Sequence, residues 1–296
     1  MSASTCRNPA QARFITEDIL RFWHAFAEID TPDAPAYFER TYLQAGTPGL
    51  NAFTSLRIGS ASALVKTVRA RRSYYAATRA TTLAIARRTD VFRASSQALA
   101  AWYSAAIFPD TFFVIGRMTS GGTVADAGLL IGSELFARGP DTPVHELNSW
   151  ERAVTTSAKT LPFIVAHELI HAQQPPEVSH TLLAHCLREG AAEFLGELIS
   201  GGVITPRLHV FSRAHEPQLW ARFAAERDKI GWDSWLYQGA AAGKEPADLG
   251  YFIGSQICRA HFDRSSDKKA AVHNIVIQAV LDPEEFLAAS GYPERT

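Results

Sequence analysis

LPFIVAHELIHAQQ, residues 161–174, is followed beyond Pro175 and Pro176 by REGAAEF, residues 188–194, and these two stretches constrain everything around them. Thr160 is placed to cap a helix, Pro162 is tolerated in its first turn, and the paired prolines forbid continuation, which predicts a helix over about 161–174. Ser179 is placed to cap the next helix, which runs through Leu195 to Ile199 and is stopped by Gly201 and Gly202.

On the first helix His167 and His171 lie one turn apart and project from one face, so that both imidazoles can grip a single ion. Glu168 projects about 100° around from His167, beside the ion rather than on it, where it can take a proton from water. On the second helix Glu189 and Glu193 again share a face. A catalytic zinc site takes three protein donors and keeps one position open, and His, His plus Glu is a well-populated set. Glu189 is therefore expected to complete a site for one Zn2+. The glycine and alanines at 190–192 are expected to let this helix approach the first closely. Glu193 is cast as the acceptor for the outer N–H of a liganding histidine.

Upstream the pattern is helical. Thr16 precedes Glu17 and Asp18, and Ile19, Phe22, Trp23 and Phe26 follow at helical spacing. Asp33 to Ala45 reads as a second helix stopped by Gly46 and Pro48, and alanine-rich segments continue over 51–72, 73–88 and 90–106. From Thr111 the character changes. Phe112–Ile115 and Leu129–Ile131 are short apolar runs separated by Ser120, Gly121 and Gly122, which predicts two strands. The expected fold is α+β and mostly helical, with a small sheet ahead of the histidine helix and a helical region 1–107 packed on a core of 108–296.

A chain of 296 residues that is 47% hydrophobic and 20% charged, with a net charge of -1, has the composition of a soluble globular protein. Arg69, Arg71, Arg72 and Arg87, Arg88 read as solvated helix faces, so nucleic acid is set aside as a partner. No apolar run approaches the eighteen or so residues that predict a membrane-spanning helix. The first fifteen residues lack the charged start and apolar stretch of a leader, which points to the cytoplasm for the sequence as it stands, and to periplasm or export if a leader has been removed. Cys6, Cys186 and Cys258 form no disulfide pattern. His24, His145, His180, His185, His209, His215, His261 and His273 are expected to be ordinary surface or capped histidines. Trp220, Phe223, Trp232, Trp235 and Tyr237 are expected to be the core of a helical lobe rather than a pocket wall.

HELIH (167–171) with EGAAEF (189–194) resembles the gluzincin metallopeptidases, the clan that includes the zinc aminopeptidases, in which the glutamate before the glycine is the third ligand. More closely, LLIGSELF (129–136), LPFIVAHELIHAQQ, EGAAEFLGELISGG (189–202) and LGYFIGSQIC (249–258) are similar to a bacterial family of predicted zinc-dependent proteases related to the gliding-motility lipoprotein GldB group, over roughly residues 12–292. The resemblance implies a gluzincin fold and peptidase activity on a peptide or protein substrate. It also implies a hydrogen-bond donor to the oxyanion of the tetrahedral intermediate. Tyr251, about sixty residues beyond Glu189 and three before Gly254, fits that slot, with Tyr237 in reserve.

The strand Gly128 to Leu135 is expected to form the sheet edge on which an extended peptide lies, with Gly132, Ser133 and Glu134 at its end. The glycine-alanine-methionine-glutamate-asparagine motif that reads a free amine in the aminopeptidases is absent here, so the resemblance does not extend to that specificity. Two alternatives stand beside the peptidase. Peptide deformylases share the five-residue helix motif but take an upstream cysteine as third ligand, and only Cys6 lies upstream. The other is a zinc-stabilised binding or assembly protein with little or no turnover.

Overall fold

The computed structural model describes residues 6–204, 206–232, 234–238 and 245–293. It is α+β and mostly helical, with one four-stranded sheet among the described residues. By their contacts the residues fall into two compact units, Met1–Ser96 with Ile107–Glu168, and Gln97–Ala106 with Leu169–Thr296. The sheet thus groups with the N-terminal helices, rather than with the chain from 108 onward as the division at 107/108 had it.

In the first unit, β1 (Phe14–Ile15) pairs parallel with β2 (Thr111–Val114), β2 pairs parallel with β4 (Gly128–Gly132), and β3 (Gly122–Ala125) pairs antiparallel with β4. Every residue of β2 and β4 is buried, as parallel strands covered on both faces require, and this is why both read as unbroken apolar runs. Three expectations are corrected here. The strand from Gly128 ends at Gly132, and Ser133–Phe136 continues as a 3-10 turn. That strand is also internal, since β2 and β3 occupy both its sides, and the edge on this side of the sheet is β3. Gly122 was expected in a separator, yet it opens a strand.

Helices wrap this sheet through an aromatic core. Phe22 of the helix Glu17–Phe26 meets the rings of Trp23, Phe38, Tyr42 and Tyr75. Three buried phenols then tie helices to the chain just beyond the strands. Tyr42 donates to the carbonyl of Ile115 at 2.6 Å, Tyr75 to that of Gly116 at 2.8 Å, and Tyr74 to that of Glu134 at 2.7 Å. A buried hydroxyl costs stability unless bonded, so each phenol fixes a register as well as filling space. The predicted helix from Asp33 to Ala45 is in fact Ala34–Phe38 followed by a wider π turn, Glu39–Leu43.

The second unit is built on two long helices, Leu182–Ser200 and Leu249–Arg264. The first is capped by Thr181, whose hydroxyl accepts from Ala184 N, rather than by Ser179, and Gly201 ends it in the left-handed conformation (φ 78). No described helix is long and apolar enough to cross a membrane.

Candidate metal centre

The histidine helix spans Leu161–His171 and begins where the Thr160 carbonyl accepts from the amides of Phe163 and Ile164. It ends at His171, three residues short of the expected stop, because the chain turns through Gln173 and Gln174. The division between the units falls inside this helix, after Glu168, so the helix is common to both. His167, Glu168 and Glu189 are buried and His171 is half-buried.

His167, His171 and Glu189 each present one donor atom, and these atoms all lie within 4.8 Å of one another. Nε2 of His171 stands 3.3 Å from Oε2 of Glu189. Two imidazoles and a carboxylate converging at this spacing can hold a metal ion, since donors about 2 Å from a common centre sit a little over 3 Å apart. The three residues assigned as ligands from the sequence are the three that meet.

The tautomer of His171 follows from its surroundings. Gln174 donates through Nε2 to the carbonyl of Arg188 at 2.9 Å, which turns its Oε1 toward Nδ1 of His171 at 2.7 Å. Oε1 can only accept, so Nδ1 carries the proton and Nε2 keeps its lone pair for a metal. Gln174 was missed in the sequence, where it lies past the helix end and helical periodicity says nothing about it. Toward His171 it acts as the acceptor that the sequence had suggested in Glu193. Glu193 meets His209 at 3.0 Å between Oε1 and Nε2, both side chains being buried. His209 is thus a paired interior histidine, contrary to expectation, and so is His185, whose Nδ1 lies 3.5 Å from Glu177.

The small residues beside Glu189 also act differently from their expected role. A Cβ on Gly190 would overlap the carbonyl carbon of Gly254, and one on Gly254 would fall 3.0 Å from Gly190 Cα. Gly190 therefore lets its helix touch Leu249–Arg264, and this contact brings Tyr251 to Glu189. Tyr251 shares a hydrogen bond with Glu189, and Tyr237 donates to Oε1 of Glu189 at 2.6 Å. Burial, and then the charge of Glu189, push the Tyr251 phenol well above its ordinary range, and the same two causes raise Tyr237. Both keep a proton to donate. Tyr237 stands in a loop at φ 56, pinned by Gln238 and Asp248, which exchange backbone-to-side-chain bonds of 2.8 and 3.2 Å. The aromatic cluster is split accordingly: Phe223 and Trp235 are core, whereas Trp232 and Tyr237 are exposed, Tyr237 through its ring, with only its hydroxyl end enclosed against Glu189.

Glu168 lies against β3. A Cβ on Gly122 would come within 2.6 Å of the Glu168 carboxyl carbon, so glycine leaves the room in which that carboxylate sits. Ser133 and Glu134 are fully buried, and Glu134 accepts from the amides of Gly116 at 2.9 Å and Met118 at 3.1 Å. Glu134 therefore clamps the loop after β2, where Met118 adopts φ 63, and does not face a substrate edge. Burial raises its carboxyl to about 7.

Compared with protein-family models, curated proteins and solved structures, the chain matches none.

Proposed function

We propose that the chain is a zinc-dependent hydrolase, most simply a peptidase of gluzincin type, with His167, His171 and Glu189 as ligands and Glu168 as general base. The observation that carries this reading is the convergence of three donors from the two motif stretches, with a second carboxylate, Glu168, next in sequence to the first donor. Zinc held there would act as a Lewis acid and lower the pKa of water toward neutrality. Glu168 takes the proton of the attacking water and hands it to the leaving amine. Tyr251, with Tyr237 beside it, keeps its phenolic proton and donates a hydrogen bond to the developing oxyanion. The exposed edge next to Glu168 is β3, so an extended substrate would pair with Gly122–Ala125 rather than with the buried Gly132–Glu134 turn. The donor trio contains no cysteine, which argues against the deformylase arrangement.

Elemental analysis and digestion of a peptide library, with and without chelator, test this reading. Zinc near one equivalent is expected, with cleavage abolished by chelation. Glu168→Gln should keep the metal and lose about 100- to 10,000-fold in turnover. Full zinc with no cleavage of any peptide would favour the binding-protein alternative, and hydrolysis retained in Glu168→Gln would refute the assignment of the base.

A further inference from the structure

A second trio of donors stands outside the motif pair. Glu177, His180 and His185 present ligand atoms that all lie within 4.8 Å of one another, with Glu177 Oε2 at 3.9 Å from His180 Nδ1 and Glu177 Oε1 at 3.5 Å from His185 Nδ1. Each is set in place by its backbone or its neighbours. His185 rides on the helix capped by Thr181. The His180 carbonyl accepts from Gly231 N at 3.0 Å, and Thr181 next to it bridges Ile230. Glu177 is steadied by Arg188, whose Nε lies 3.4 Å from Oε1. The ring of His185 packs edge-on against Trp232 at 4.5 Å, and its Nε2 is buried with no hydrogen-bond partner among the described residues. Its other nitrogen is the one that faces the trio.

We propose that Glu177, His180 and His185 form a second divalent-cation site. Two imidazoles with one carboxylate favour zinc, nickel or copper over calcium or magnesium, which take oxygen donors. The His180 side chain is 71% exposed and that of Glu177 29%, so an ion enters from solvent, and rotation of His180 brings the donors to bonding distance. Arg188 competes for the carboxylate through Oε1 and leaves Oε2 for the ion. An ion here ties the connector between the two motif helices to the helix that carries Glu189. Because the same connector holds Gln174, and Gln174 orients His171, the site is suited to stiffen the first centre rather than to perform chemistry itself.

The inference does not depend on the hydrolase reading, and calorimetric titration of the metal-stripped, tag-free chain with Zn2+ separates the two. With both sites real, the protein takes two equivalents, His180→Ala and Glu177→Gln each take one, and His171→Ala keeps the equivalent that His180→Ala loses. If the motif site takes no ion, the unaltered chain binds one equivalent and His180→Ala none, which supports the second site alone. A stoichiometry and affinity unchanged within threefold by both His180→Ala and Glu177→Gln would overturn the proposal. His180 is exposed, so its variant tests the site without a risk to folding.

Discussion

Gly190 and Gly254 lie backbone against backbone, so close that neither position has room for a methyl group. The helices Leu182–Ser200 and Leu249–Arg264 cross at this point, and Glu189 and Tyr251 meet because of it. Gly190→Ala must push the two apart, and the overpacking is expected to cost about 3 kcal/mol. Chemical denaturation checks the number. The weaker zinc retention that should accompany it distinguishes a displaced Glu189 from a general loss of stability.

Gly122→Ala acts on Glu168. Its methyl group meets the flexible end of Glu168 rather than backbone, so folding should change by less than about 1 kcal/mol while the carboxylate is displaced. Turnover is expected to fall toward that of Glu168→Gln with zinc content unaltered. Full activity in the alanine variant would show that Glu168 has no need of its present place.

Removing the amide of Gln174 frees the Nδ1 proton of His171 and cuts the tie to Arg188. Gln174→Ala should weaken zinc affinity about 10- to 100-fold, measured by competition with a chromogenic chelator. Gln174→Glu keeps the acceptor for His171 but loses the donor to the Arg188 carbonyl, and should recover only part of the loss.

Glu134 gives a pH signature. Its folded pKa of about 7 lies above the ordinary 4.5, so its contribution to stability is full below about pH 4.5 and is lost as pH rises through 7. A shift of this size corresponds to about 3 kcal/mol. Urea unfolding at pH 5 and pH 8 should show that loss in the unaltered chain. In Glu134→Gln, which cannot ionise, the dependence over this window should flatten.

The convergence of the donor trio was legible because helical spacing is local: His167 and His171 share a face whatever else the chain does, and prolines fence their helix. Gln174 was not, because it reaches His171 from a turn whose course no periodicity encodes, and Tyr237 was named only in reserve because its loop carries no such pattern either. β3 escaped for a related reason, since Gly-Thr-Val-Ala after two turn residues carries too little pattern to announce a strand. The rank of Gly128–Gly132 as an inner strand depends on pairing partners far away in sequence. Gly190 shows the limit of motif reading from another side. Smallness was rightly taken as close approach, but the sequence does not say to which helix.

The three phenols that lock helices to the sheet also set an alkaline ceiling for the first unit. Burial raises Tyr42, Tyr74 and Tyr75 above the ordinary 10, so past that value the opened chain sheds protons that the closed one retains. Phenolate absorbance from these rings should therefore emerge in a single cooperative step together with loss of structure, and not along the gradual titration curve of free tyrosine.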